Sequence, residues 1–172
     1  MDYEVELTRK LLEKRPAIRQ VHEIGCGFGQ LMFLLGWNGF KTVGFEADRA
    51  RGRTGRTLRE ILDLVDPELT GNVQLLETSF PARDAVIPDA HSLVLTTNLV
   101  ATCDLARKLE ILAEMRKYPF VLSDVQRFFD HKPNVEDEPE ILALFAQAGL
   151  SEPELFLDLG TSGRYYLFRN VH

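Results

Sequence analysis

Short apolar runs alternate with stretches of helical periodicity almost from end to end, the pattern of strand–helix units built around a parallel sheet. Residues 2–14 carry Val5, Leu7, Leu11 and Leu12 on one side, with Pro16 just beyond, and predict an amphipathic helix. Residues 20–24 predict a first strand that runs into Gly25, and residues 31–35 a buried helix closed by Gly36 or Gly39. A second strand is expected over 41–45, ending at Glu46. A helix over 56–65 then turns Ile61, Leu62 and Val65 to the core and stops before Pro67. Third and fourth strands fall at 73–76 and 92–96. A helix from about 104 to 117 has Leu105, Leu109, Leu112 and Met115 at helical spacing. Residues 120–123 predict a fifth strand and 139–148 a helix, with Gly149 where a left-handed cap is wanted. The tail changes character: 154–159 and 164–170 predict two strands joined by the turn Gly160-Thr161-Ser162-Gly163, an antiparallel hairpin.

Together these elements predict one α/β domain over 1–172, with a doubly wound, seven-stranded sheet, mostly parallel with a C-terminal antiparallel hairpin, and residues 1–18 as a helical cover. The 172 residues suffice for a proper core, and 45% hydrophobic with 27% charged residues is ordinary for a globular protein. No run approaches the roughly 18 apolar residues of a membrane span. The acidic start, Met1 to Glu6, is unlike a secretory leader. Cys26 and Cys103 lack paired spacing, so neither a disulfide framework nor a metal site is expected, and a cytoplasmic setting follows. The net charge of -6 argues against broad, phosphate-driven nucleic-acid binding. One local exception stands out: Arg49, Arg51, Arg53, Arg56 and Arg59 form either a solvated loop and helix face or a dock for an anion.

The turn after the first strand, Glu23-Ile24-Gly25-Cys26-Gly27-Phe28-Gly29, carries the candidate chemistry. Glycines at a strand-to-helix turn let backbone approach a ligand and open a helix N-terminus toward it. A dinucleotide loop places its third glycine five positions after the first, which here is Gln30; the third glycine is instead Gly29, four positions on. Glu46 ends the second strand, 21 residues after Gly25, where a carboxylate can accept hydrogen bonds from both hydroxyls of a ribose. So placed, it is expected to face a ligand and to contribute little to the stability of the core.

Glu-x-Gly-x-Gly-x-Gly followed by Val43-Gly44-Phe45-Glu46-Ala47-Asp48 resembles the class I S-adenosylmethionine-dependent methyltransferases, a Rossmann-like family, over nearly the whole chain. The resemblance implies that Gly25, Cys26, Gly27 and Gly29 wrap the methionine part of S-adenosylmethionine, that Glu23 sits behind its ammonium group, and that Glu46 holds the ribose. It further implies an adenine slot between Phe45 or Ala47 and Thr78, Ser79 or Phe80, with Thr97 closing the cofactor site. An Asp common in the family at the adenine amine is missing, and Glu77, Thr78 and Ser79 stand there instead.

On the acceptor side the candidates are Thr97 and Asn98 after the fourth strand, Asp124 after the fifth, and His131 in the loop beyond, with Phe128 and Phe129 as pocket walls or core filler. Asn98 could orient an acceptor through its amide or cap the next helix; His131 titrates in the range of a general base or is simply solvated. With so little chain left for a substrate domain, the expectation is methyl transfer to oxygen or nitrogen of a small molecule, leaving S-adenosylhomocysteine. The site is complete in one chain, or completed by a second copy or a partner chain. Two rival readings are a methyltransferase-like, non-catalytic partner subunit and a nicotinamide-dependent oxidoreductase.

Overall fold

A computed structural model describes residues 3–82, 87–97, 103–124, 138–160 and 163–170. Contacts group the chain into two compact units, 1–86 and 87–172. The first unit runs α1 (Tyr3–Glu13), β1 (Gln20–Ile24), α2 (Gln30–Trp37), β2 (Lys41–Phe45), α3 (Arg49–Val65), α4 (Pro67–Thr70) and β3 (Val73–Leu76). Its strands are parallel, β2 pairing β1 through Ile24↔Phe45 and β3 through Phe45↔Leu76. The second unit holds β4 (Ser92–Thr96), α5 (Leu105–Met115), β5 (Phe120–Asp124), α6 (Glu138–Gln147), β6 (Pro153–Asp158) and β7 (Arg164–Arg169). There β4 pairs β5 in parallel, while β7 runs antiparallel to both β5 and β6. The protein is therefore α/β with seven strands in a mixed sheet, mostly parallel and reversed only by the C-terminal hairpin.

The strand boundaries follow the apolar runs closely, and the helices depart from expectation in instructive ways. α3 starts at Arg49 rather than at 56, because the Asp48 carboxylate caps it, accepting from the backbone N–H of Ala50 at 2.8 Å and of Arg51 at 3.2 Å. Its buried side is made by Gly52 and Gly55: a Cβ on Gly55 would lie 3.1 Å from the Phe28 carbonyl oxygen. With the glycines turned inward, Ile61 and Val65 point to solvent, not to the core, and Leu62 is half-buried. The arginine run thus belongs to a helix and not to a loop. Arg56 pairs with Glu77 at 2.8 Å, and the other arginines before Arg59 are exposed.

α1 buries Leu7 and Leu11 but leaves Val5 exposed, and α5 buries Ile111, Leu112 and Met115 while Leu105 and Leu109 face out. In α2, Gly36 is inside the helix and packed on Val73; Gly39, at φ 83°, closes the segment. Asp66 caps the short α4, which has Pro67 in its first turn. In the hairpin, a bulge makes Phe156 the extra residue between the pairs Leu155↔Tyr166 and Leu157↔Tyr165, so Phe156 and Leu157 are both buried.

Candidate cofactor site

The glycine turn is built by the backbone. Past the end of β1, the N–H groups of Gly25 and Cys26 both donate to the Phe45 carbonyl, at 2.8 and 3.1 Å, which pins the turn to the end of β2. Gly29 N–H donates to the Cys26 carbonyl at 2.9 Å, and Gly29, at φ 83°, opens α2. Gly27 stands at φ 59°, a left-handed conformation that selects glycine, and the space where a Cβ would be is open. At Gly29 the demand is packing as well: a Cβ would meet Leu75 at 3.1 Å.

Glu46 closes the site from β2. It is only 8% exposed, and its two carboxylate oxygens accept from Gly27 N–H at 2.8 Å and from Asp48 N–H at 2.7 Å. Glu23 is buried on β1, in register with Gly44 of β2. The Cys26 thiol lies over Gly44: a Cβ there would come within 2.6 Å of its sulfur. Burial, and then the negative charges of Glu23 and Glu46, push this thiol well above its ordinary range, so it stays neutral. Glu23, the glycine turn and Glu46 are thus brought together in the first unit.

The residues expected to flank an adenine lie at the ends of β2 and β3 and just beyond them. Phe45 and Phe80 are buried and pack edge to face with each other, ring centroids 5.3 Å apart. Ala47 and Ser79 are exposed and Thr78 half-buried; Glu77 is held by Arg56. A groove of about 760 Å³ lined by Trp37, Pro67 and Leu69 also lies in this unit and shares no residue with the glycine turn.

In the second unit Thr97 and Asp124 are buried at the ends of β4 and β5. Beside them Thr96 Oγ1 and Ser123 Oγ are hydrogen-bonded at 2.7 Å across the two strands. Asp124 fits under Gly163, where a Cβ would be 3.0 Å from its carboxylate. Asn98, Phe128, Phe129 and His131 lie outside the described residues. A further polar group in this unit was not among the residues expected from the sequence. Glu138, at the start of α6, accepts from the Tyr166 hydroxyl and from Arg164 Nη1 at 3.3 Å, and Arg164 also reaches Asp158 at 3.1 Å. Burial first, then the bond to Glu138, push the Tyr166 phenol up to about 12. Arg164 and Tyr166 alternate along β7, which places both on one face of that strand.

Among the described residues no group of three or more side chains could hold a metal ion, and no helix is long and apolar enough to cross a membrane. No family model and no curated protein matches the sequence. Solved structures do. The methyltransferase domain of the bacterial protein CtHen1 is similar over 94% of this chain and 95% of that one, with 16% identity and a TM-score of 0.66. Magnesium protoporphyrin IX methyltransferase from Synechocystis PCC 6803, solved with bound SAM, covers 98% of this chain and 78% of its own at 12% identity and a TM-score of 0.67. The glycopeptide N-methyltransferase MtfA covers 96% and 94% at 13% identity and a TM-score of 0.67. The fold is that of the class I, Rossmann-like methyltransferases.

Proposed function

We propose that the protein is an S-adenosylmethionine-dependent methyltransferase acting on oxygen or nitrogen of a small-molecule acceptor. The observation that carries the reading is the buried Glu46 carboxylate at the end of β2, set against a glycine turn that is open at Gly27. A carboxylate has about four acceptor positions. Two are used by backbone N–H groups, which leaves two for the hydroxyls of a ribose. Gly25, Cys26, Gly27 and Gly29 would hold the methionine part, Glu23 its ammonium group, and Ala47, Thr78 and Ser79 the adenine edge, with Thr97 completing the set. When bound, S-adenosylmethionine supplies an already activated methyl group, so the residues around it have to align more than to activate.

On the acceptor side Asn98 orients the nucleophile. Asp124 or His131 takes the proton that an O–H or N–H acceptor must lose as the new bond to carbon forms. The acceptor site is formed by this chain or completed by a second copy or a partner chain. Neither Cys26 nor Cys103 is in a disulfide, which suits a cytoplasmic enzyme. Calorimetry with S-adenosylmethionine, S-adenosylhomocysteine and a nicotinamide dinucleotide tests the cofactor: the first two bind and the third does not, and a preference for the dinucleotide sinks the reading. On the true acceptor, Asn98→Ala lowers turnover with cofactor affinity kept. Full turnover in both Asn98→Ala and His131→Ala would move the acceptor site elsewhere.

A second reading, a partner subunit that does not turn over, draws on the adenine side, where Phe45 and Phe80 are packed on each other and Glu77 is held by Arg56. Its mark in the same titration is the absence of any heat with either adenosyl compound.

A further inference from the structure

We propose that Glu46 is a positioning residue for the glycine turn, in addition to receiving the ribose: one carboxylate latches the turn to the first residues of α3. The inference rests on the cofactor reading for its consequence but not for its geometry. The bonds of Gly25 and Cys26 to Phe45, and of Gly29 to Cys26, fix the two flanks of the turn. Between them Gly27 has the widest conformational freedom of any residue type, and its Cβ side is open. What holds it at φ 59° is the 2.8 Å hydrogen bond from its N–H to Glu46 Oε2.

The other oxygen of the same carboxylate accepts the N–H of Asp48, the residue whose own side chain caps α3. Buried charge-assisted bonds of this kind are the stronger sort. Both partners are donors, so only a group with two acceptor oxygens serves. A glutamine would turn its NH2 against one of the two N–H groups, and an aspartate is one methylene too short to span both.

The consequence is that Glu46 governs affinity for parts of the cofactor it does not touch. A residue that only binds ribose hydroxyls has no effect on a ligand that lacks them; a latch does. The experiment is a double-mutant cycle in which one change is in the ligand. Wild type and Glu46→Gln are titrated with S-adenosylhomocysteine and with its 2′,3′-dideoxyribose analogue. In parallel, amide hydrogen exchange of Gly27 is followed in both proteins with no cofactor added.

The expected result is that Glu46→Gln weakens the dideoxy analogue about tenfold and speeds Gly27 exchange about tenfold, while the amides of Val21 and Val43 are unchanged. Equal affinity of the analogue for both proteins, or unchanged Gly27 exchange, overturns the latch. So does a wild-type protein with no scalar coupling between the Gly27 amide nitrogen and the Glu46 carboxylate carbon, a measurement that requires no variant to fold. If neither adenosyl compound binds wild type, the cofactor reading fails by itself, and the exchange and coupling measurements still decide the latch.

Discussion

The contact between Gly44 and Cys26 offers a measurement of how tightly β2 and the glycine turn are coupled. A Cβ at Gly44 would lie 2.6 Å from Cys26 Sγ and 3.0 Å from Cys26 Cβ and Leu75 Cδ2. Ordinary packing distances are about 3.5–4.0 Å, so Gly44→Ala requires the sulfur to retreat by about 1 Å. Overpacking of this size costs about 1–3 kcal/mol, offset in part by about 0.5–1 kcal/mol from replacing a flexible glycine in a strand. Cys26 cannot retreat alone, because it stands between Gly25 and Gly27 and its N–H is bonded to Phe45. The displacement therefore enters the turn, and on the proposed function affinity for S-adenosylhomocysteine falls with stability.

Cys26→Ala removes the sulfur and leaves contacts of 3.0 Å, which a shift of a few tenths of an ångström relieves. The double variant is then more stable than the sum of the single effects by about 1–2 kcal/mol. Urea unfolding of the four proteins reads the stability term, and calorimetry with S-adenosylhomocysteine reads the affinity. Additivity within about 0.5 kcal/mol would refute the reasoning, since it would mean that the two side chains do not share that space.

Two further predictions concern ionisation. The Tyr166 phenol, raised to about 12 from 10.0, keeps its proton in the folded protein after the unfolded chain has lost it. Its contribution is whole below pH 10 and disappears as pH rises from there toward 12; Tyr166→Phe flattens that window of the stability profile and, at neutral pH, costs about 1–2 kcal/mol for the lost bond to Glu138. An identical alkaline profile in the variant would contradict this. Asp48, lowered mainly by the N–H groups of Arg51 and Ala50, stabilises the fold above the ordinary aspartate range and loses that contribution as pH falls through its depressed value. Asp48→Asn keeps a cap without the charge, so urea midpoints of the variant should fall less between pH 4 and pH 2 than those of wild type, by about the share of one titrating group.

The glycine turn and the end of β2 were legible because their constraints are local. Gly25, Gly27 and Gly29 all take positive φ, and Glu46 follows directly from where β2 stops. α3 was misread for the opposite reason. Gly52 and Gly55 weaken helix propensity, and their place in a helix follows from the Asp48 cap and from the close neighbours Glu77 at Gly52 and Phe28 at Gly55, none visible as periodicity. Once the glycines form the inner face, the apolar residues at 61 and 65 necessarily fall outside. Glu46 was expected to contribute little to the stability of the core, and its two bonds to backbone N–H groups are not written in the local sequence. The link from Glu138 to Tyr166 spans residues far apart in sequence, and nothing along the chain announces such a pair.

The bulge in the terminal hairpin has a consequence for how the protein behaves in a crowded solution. β6 is the outermost strand of its unit, and an outermost strand is a template on which another chain can pair and aggregate. Here Pro153 begins it without an N–H to offer, Glu154 is tied across to Arg169 at 2.8 Å, and Phe156 interrupts the regular run of donors and acceptors midway. The irregularity that buries Phe156 and Leu157 side by side also denies an incoming strand a straight edge to join. A deletion restoring regular pairing at Phe156 would remove a pair of buried apolar neighbours and, in the same stroke, a guard against fibre growth.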